Sequence, residues 1–210
     1  MLKECYLGQG ALYVIEHQHM VMQSGAMVAN GPKFELHMWN KRPTTTANVE
    51  TFYKTTNNGK LLKPLEQEHA LVFAISRDLV DATSLAEVKS NKFPDVKFKS
   101  NTGKIVVVNG HHRMQVLAKV NEKFLEVKRS CQKIVLNSNK GKGRVDVVSN
   151  TRSDLADAEM HLWENGKWGV ILLDLGKCHV QYLKVFYLLL NLADQIMASK
   201  EVEKIKLYFV

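Results

Sequence analysis

The residues best suited to bind an anion lie in the stretch VVVNGHHRMQVL, at positions 106–117. An apolar run ends there, and a helical pattern of apolar residues begins at once. The first N–H groups of a helix have no partner within the helix, and the helix dipole adds partial positive charge at that end. A glycine lets an anion approach the backbone, and an arginine can hold two phosphate oxygens together. The stretch therefore predicts a phosphate site made of Asn109, Gly110, His111, His112 and Arg113.

The same side chains also predict chemistry. An imidazole titrates near neutral pH, so His111 or His112 is a candidate general acid or base. Arg113 would neutralise charge that develops on a transferred or leaving phosphate. Basic side chains at a helix N-terminus oppose the helix dipole, so folding alone does not favour them there. A purely structural cluster is the competing interpretation.

Several elements must position this corner. KIVVVN (104–109) is typical of a buried β-branched strand. The helical spacing of the apolar residues after it predicts a helix: Met114, Leu117, Ala118 and Val120. Two further apolar runs, HALVFAIS (69–76) and WGVILLDL (168–175), predict buried strands. Alternation of strands and helices predicts a mixed α/β or α+β fold.

The rest of the chain gives weaker patterns. Before the corner, we expect strands in 10–22, at 33–39 and at 95–99, turns at NGPK (30–33) and at 100–103, and helices at 46–59 and 79–93. The first of these helices has Thr46 as its cap and Gly59 as its C′ residue. After the corner, we expect a basic exposed loop within 122–150, a helix at 151–163 capped by Ser153, a long helix at 179–198 and a strand at 204–210.

Charge and composition indicate the class of partner. The net charge is +8, and a basic chain favours nucleotides, nucleic acid or anionic lipid. The glycine-rich tip NSNKGKGR carries Lys140, Lys142 and Arg144, which are candidate nucleic-acid contacts or only a solvated loop. A DNA- or RNA-binding protein or nuclease is therefore an alternative function.

The cysteines and the apolar segments indicate a compartment. The three cysteines are widely spaced, with no CxxC pair, which favours a reducing environment over a disulfide framework. The N-terminus lacks the apolar core of a signal peptide, and no run reaches the length of a membrane span. We expect an intracellular protein, cytoplasmic or nuclear, with no membrane partner.

Three other groups of residues have side chains suited to chemistry. His17, His19 and His37 could be metal ligands, although surface histidines are the commoner case. Acids on one helix could bind magnesium, but helix-start and surface acids explain them better. The metal prediction is none, and the tryptophans are expected in the core rather than as stacking platforms. The acids are Asp154, Asp157 and Glu159, and the tryptophans are Trp39, Trp163 and Trp168.

The order of motifs resembles the ParB/sulfiredoxin-like superfamily. Gly-His-His-Arg after a β-branched strand carries the resemblance, and its form is similar to that of free-serine-kinase-like members. Three segments precede it in the family's order: NKRP (40–43), VETFYKTTNNGKLLKP (49–64) and LVFAIS (71–76). The likeness covers about residues 34–121, and WGVILLDL resembles the family's closing strand.

This resemblance implies an α+β fold with a mixed sheet, flanking helices and a C-terminal helical extension. It implies an N-terminal extension at 1–33, a core at 34–121, a basic insertion with a helix at 122–167, and a closing strand with a C-terminal helix at 168–210. All four parts would form a single domain.

The resemblance also implies a nucleotide, ATP or CTP with Mg²⁺, whose phosphates lie at Asn109–Arg113 with Arg42 reaching the same pocket. NTP hydrolysis or phosphotransfer would then use His111, His112 and Arg113. Sulfiredoxin carries a cysteine where this chain has His111, so sulfinic-acid reduction is not expected. Free-serine-kinase-like members use an early glutamate where this chain has Asn40. Glu35 or Glu50 could replace it, and a catalytically degenerate interaction module is the further alternative.

Overall fold

The computed structural model describes residues 5–15, 18–24, 26–36, 45–88, 90–137 and 145–177. Within these ranges the chain is α+β, with a six-stranded mixed sheet and four α-helices, as the sequence predicts. The elements in chain order are β1 Tyr6–Tyr13, β2 Gln18–Gln23, β3 Ala26–Leu36, α1 Thr46–Thr55, β4 Leu71–Ile75, β5 Lys104–Asn109, α2 His111–Val120, α3 Glu122–Asn137, α4 Val145–Gly166 and β6 Lys167–Asp174.

The sheet order is β1-β6-β4-β5-β3-β2. The pairs β6–β4 and β5–β3 are parallel, and the three other pairs are antiparallel. The edge strands β1 and β2 come into contact, so the sheet is curled. Because of these directions, β5 and β3 end at the same sheet edge at which β4 and β6 begin.

The core lies on both faces of β4, whose five residues are all buried. On one face Leu71, Phe73 and Ile75 join the main cluster, which also takes in Met114 of α2 and Leu162 of α4. The other face carries a smaller cluster of Val72, Ala74, Val108, Leu173 and Cys5. A short strand buried on both sides is expected to be a continuous apolar run, and LVFAI is one.

Four predictions around the corner are confirmed. The strands predicted at 69–76, 104–109 and 168–175 are β4, β5 and β6, and the helix that comes after Gly110 is α2. Each was indicated by a strong local signal, either an apolar run or a glycine between two periodic patterns.

Near the N-terminus the structure corrects two predictions. The single strand predicted in 10–22 is two strands, β1 and β2. NGPK is not a turn, because it lies inside β3. A proline cannot donate to a neighbouring strand. Pro32 is accommodated where the β2–β3 register shifts, and the next N–H, that of Lys33, donates to Gly103 O at 3.2 Å.

The helix predicted at 46–59 is shorter and starts one residue earlier than its predicted cap implies. Thr45, not Thr46, is the N-cap, and its hydroxyl accepts from Asn48 N at 3.2 Å. Gly59 lies beyond the C-cap Thr56, in a turn with a left-handed φ of +81°.

The helix predicted at 79–93 is wrong. Two 3-10 turns, Arg77–Leu79 and Ala82–Ser84, replace it. The Asp81 carboxylate accepts from the Thr83 N–H at 3.0 Å, which favours a turn over a helix. Ala86 then exchanges two backbone hydrogen bonds with Gln9 of β1. The strand predicted at 95–99 is wrong too, because that segment makes only isolated bridges.

The basic loop predicted within 122–150 is largely helical. Its residues form α3 and the first part of α4, and Ser153 therefore lies inside α4 rather than at its N-cap. The two helices pack together, with the Phe124 and His161 rings stacked at 3.4 Å. The tip at 138–144 and the elements predicted at 179–198 and 204–210 lie outside the described residues.

The helices of the described ranges do not have the dimensions of membrane spans. Each of them is too short or too polar to cross a bilayer.

Candidate phosphate site at the end of β5

Gly110 forms the turn between β5 and α2. It is the N-cap of α2, with φ +100° and ψ 8°, in the left-handed region. A Cβ at this position would lie 2.1 Å from Leu71 Cδ2, and Leu71 is fully buried. Both the backbone conformation and the lack of space therefore require glycine.

The backbone conformation at Gly110 is of a kind that can form a concave set of donors. A left-handed residue followed by a right-handed helical one turns successive N–H groups toward a common point, an arrangement that binds anions. Gly110 is followed directly by His111, the first residue of α2. No side-chain oxygen caps α2, and its first turn contains no acidic residue. The left-handed Gly110 therefore lies at the end of α2 where the helix dipole is positive.

The two corner histidines differ in exposure. His111 is buried and His112 is half-buried. Their ring centroids are 6.0 Å apart and the ring planes are tilted by 49°. The two rings therefore lie near each other in the first turn of α2.

Arg113 is held beside the start of β4. Its Nη1 donates to the backbone oxygens of His69 at 3.4 Å and Ala70 at 3.3 Å. Trp168 Nε1 donates to the same His69 oxygen at 2.8 Å. A guanidinium has five N–H donors, and both of these contacts come from one nitrogen. The side chain has a structural contact in addition to its predicted role.

Sequence reasoning missed His69 and Trp168 as parts of this corner. The 3-10 turn Gln67–His69 precedes β4, and the His69 ring accepts from Lys63 N at 3.3 Å. The sequence near His69 and Trp168 does not indicate these contacts, which follow only from the pairing of strands. Antiparallel β4 and β5 place Val72 opposite Asn109, which brings the residues before β4 to the end of β5.

Arg42 lies outside the described residues, but the strand before it does not. β3 runs parallel to β5 with Leu36 opposite Val107. Both strands therefore end at the same edge of the sheet, the one that carries the corner. Lys140, Lys142 and Arg144 also lie outside the described residues.

The two glutamates considered as catalytic replacements both pair with lysines. Glu35 contacts Lys104 on the neighbouring strand at 2.8 Å. Glu50 of α1 forms a hydrogen-bonded ion pair with Lys119 of α2, and this hydrogen bond lowers the pKa of the Glu50 carboxyl. Each carboxylate thus joins two elements of the fold.

The histidines considered as metal ligands do not assemble a site in the described part of the chain. His19 is buried, its ring meets Phe98 edge-on at 5.0 Å, and its Nδ1 has no hydrogen-bond partner. Burial lowers the pKa of His19 to about 4 against the opposing effect of Asp95, and Lys167 lowers it further. His17 and His37 lie outside the described residues, within which no cluster of three metal-binding side chains occurs.

The acids of α4 split between surface and core. Asp154 and Asp157 are exposed, as predicted, although both lie well inside the helix rather than at its start. Glu159 is buried and accepts from Met27 N at 3.1 Å, so its assignment as a surface acid is wrong. It links α4 to β3.

The aromatic and sulfur residues have mainly structural positions. Trp168 is fully buried, as predicted, whereas Trp163 is half-buried beneath the Lys167 ammonium at 4.2 Å. Cys5 and Cys131 are buried free thiols. Trp39 and Cys178 lie outside the described residues.

Comparison with known proteins adds no relative. No protein-family model matches the chain, and neither a curated protein nor a solved structure matches it.

Proposed function

We propose that this chain is a nucleotide-binding domain of the ParB/sulfiredoxin-like type and that Gly110–Arg113 binds the phosphates. The observation that carries the proposal is the left-handed Gly110 directly before α2. It combines a concave set of N–H donors, the positive end of a helix and an adjacent arginine in one turn. The order of β3, α1, β4, β5 and α2 around this turn supports the family assignment.

In this proposal the ligand is ATP or CTP with Mg²⁺. The backbone N–H groups of Gly110, His111 and His112 donate to phosphate oxygens, and Asn109 borders the site. Arg42, six residues after the end of β3, is assigned to the same pocket by the family resemblance. Magnesium is carried on the phosphates, which are its usual ligands in nucleotide sites.

The reaction that fits such a site is NTP hydrolysis or phosphotransfer. Arg113 neutralises charge on the transferred phosphate, and the backbone donors hold its oxygens. His111 or His112 accepts or returns a proton, because imidazole changes charge near neutral pH. His112, which is half-buried, is the more accessible of the two.

Calorimetric titration of ATP, CTP and their diphosphates, with and without magnesium, tests this function. We expect micromolar to millimolar binding, and a loss of at least about tenfold in Arg113→Ala. Arg77→Ala is the matched control, because Arg77 is an exposed arginine beyond the opposite end of β4. Thermal unfolding of both variants separates a folding defect from a binding defect. Absence of binding at millimolar nucleotide, or undiminished binding by Arg113→Ala, rejects the proposal.

Nucleic-acid binding or cleavage is a second candidate, and the distribution of charge favours it. Segments 37–44 and 138–144 together carry Lys41, Arg42, Lys140, Lys142 and Arg144 and contain no acid. Binding of DNA or RNA should weaken steeply with salt, and replacing Lys140, Lys142 and Arg144 by Ala should reduce the salt slope. No mobility shift with either polymer at low salt removes this candidate.

A catalytically degenerate interaction module is the third candidate. The pairing of Glu35 and Glu50 with lysines favours it, because both carboxylates already have partners within the fold. Nucleotide binding with no phosphate release or transfer over hours would support this function. Turnover that falls in His112→Ala would exclude it.

A further inference from the structure

A groove runs between α1 and the bend from α2 to α3. It encloses about 520 Å³, which is within the range of small-molecule sites. Val49 of α1, Ala118 of α2 and Leu125 of α3 form its apolar surface, and Gln115, Glu122 and Arg129 are among its polar lining residues. The groove therefore combines apolar walls with a few hydrogen-bonding groups, as ligand sites commonly do.

The groove begins one helical turn from the phosphate corner. Gln115 and Ala118 follow His111 at spacings of four and seven residues, so all three lie along one side of α2. Gln115 is about 6 Å along the helix axis from His111, at 1.5 Å per residue. Side chains of a helix tilt toward its N-terminus, which directs Gln115 toward the corner.

The opposite wall of the groove is α1, which contacts α2. Thr46 and Val49 stand in the first turn of α1, and the chain reaches α1 from the end of β3. Lys119 joins the two walls through its ion pair with Glu50, and its ammonium lies 4.8 Å from the Tyr53 ring centroid. The groove and the corner thus share α2 as one wall.

The lining groups match a nucleoside. The ribose lies between the phosphates and the base, so it falls beside Gln115, whose amide can both donate to and accept from its hydroxyls. Glu122 begins α3, farther from the corner, where its carboxylate can accept from the exocyclic amino group of adenine or cytosine. A planar guanidinium such as that of Arg129 can stack on a base, while Val49 and Leu125 contact its face.

We propose that the groove holds the base and ribose of the nucleotide whose phosphates lie at Gly110–Arg113. This inference rests on the proposed function, because it assigns the organic part of the same ligand. It makes Gln115 and Glu122 specificity-determining residues. The chain then binds ribonucleotides in preference to both deoxyribonucleotides and bare polyphosphate.

Calorimetry with ATP, dATP, CTP, dCTP and inorganic tripolyphosphate tests the assignment. We expect Glu122→Ala to weaken nucleotide binding about tenfold and to leave tripolyphosphate binding unchanged. Gln115→Ala should remove the preference for ribose over deoxyribose. Glu164→Ala, which removes an exposed carboxylate on α4, should change none of these values.

The ligand series separates the two proposals. Equal affinities for nucleotides and tripolyphosphate, unaltered in both groove variants, overturn the groove while leaving the phosphate site intact. Failure of every ligand to bind, tripolyphosphate included, overturns the phosphate site and the groove with it. A selective loss of nucleotide binding in Glu122→Ala, with an unchanged unfolding midpoint, supports the groove.

Discussion

The two ends of β5 look alike in sequence and differ in what they can do. Gly103 precedes the strand and Gly110 comes after it, and both have left-handed φ values, +134° and +100°. A Cβ would meet a leucine at either end, Leu79 Cδ1 at 2.5 Å or Leu71 Cδ2 at 2.1 Å. Both positions, Gly103 and Gly110, therefore require glycine for steric reasons.

The two glycines differ in the element that each of them leads into. After Gly103 the chain enters the sheet, and the Gly103 carbonyl accepts from Lys33 N within it. After Gly110 the chain enters a helix whose first N–H groups have no partner in the helix. Only Gly110 leads directly into a helix, which is why the proposed anion site is assigned to it and not to Gly103.

The largest expected effect is on stability, from Gly110→Ala and Gly103→Ala. Backbone strain and overpacking should each cost about 1 to 3 kcal/mol. We expect Gly110→Ala to lose about 4 kcal/mol and Gly103→Ala about 2 to 3 kcal/mol. Leu71 is fully buried and cannot move aside, whereas Leu79 is only half-buried. Urea unfolding followed by circular dichroism measures both, and the reverse order would contradict the difference in packing.

The corner could be predicted from sequence because its signals are local. The run KIVVVN, the glycine and the apolar spacing from Met114 onward each indicate one element, and they agree. The phosphate site itself stays a prediction. The contacts of His69 and Trp168 could not be predicted, because they depend on which strands are neighbours.

The predictions at 79–93 and 122–150 failed because the local sequence pattern there was misleading. Leu79, Leu85 and Val88 have helical spacing, yet Asp81 caps a 3-10 turn and backbone bonds from Ala86 tie the segment to β1. In α3 the many charged residues led to the prediction of a loop, but the segment is a helix that buries Leu125 and Cys131. Lys128 is buried on that helix as well, which composition alone would not indicate.

The next largest effect is the acid sensitivity due to His19, whose ring meets Phe98 in the segment leading to Gly103. Its pKa is about 4 in the folded chain against an ordinary value of 6.5, so folding favours the neutral ring. The stabilisation is complete above pH 6.5 and is lost as the pH falls toward 4. The loss should reach about 3 kcal/mol near pH 4.

Unfolding free energies between about pH 7.5 and 4 measure this loss, and His19→Gln should reduce the slope. The same variant should bind tripolyphosphate as the unaltered chain does, because a buried histidine without the Gly110 geometry is not an anion site. Unchanged acid sensitivity in His19→Gln would show that other groups cause it.

A smaller effect is expected from Trp168→Phe at the corner. The change removes the donor to His69 O but keeps an aromatic ring in the core. We expect a loss of about 1 to 2 kcal/mol, the cost of an unmade buried hydrogen bond. Phosphate affinity should change less than about threefold, since Arg113 still contacts the same oxygen. A loss of affinity as large as that of Arg113→Ala would mean that the indole, not the guanidinium, fixes the corner.

The smallest effect is expected at the start of β5, from Lys104→Ala. Lys104 pairs with Glu35 at 2.8 Å, and both side chains are well exposed. Such pairs contribute between about 0 and 1 kcal/mol. Stability should fall by less than about 1 kcal/mol, and tripolyphosphate affinity should not change. A clear drop in affinity would show that the chain binds polyphosphate by overall charge rather than at Gly110.

The most direct test of the phosphate site is a titration of ¹⁵N-labelled protein with tripolyphosphate, followed by amide chemical shifts. Hydrogen bonding to an anion moves an amide proton downfield. The largest downfield shifts are expected at Gly110, His111 and His112, with the Gly103 amide unmoved at the other end of β5. Saturation at one common affinity would support a single site. Unmoved corner amides at millimolar tripolyphosphate, or larger shifts elsewhere in the chain, would contradict it.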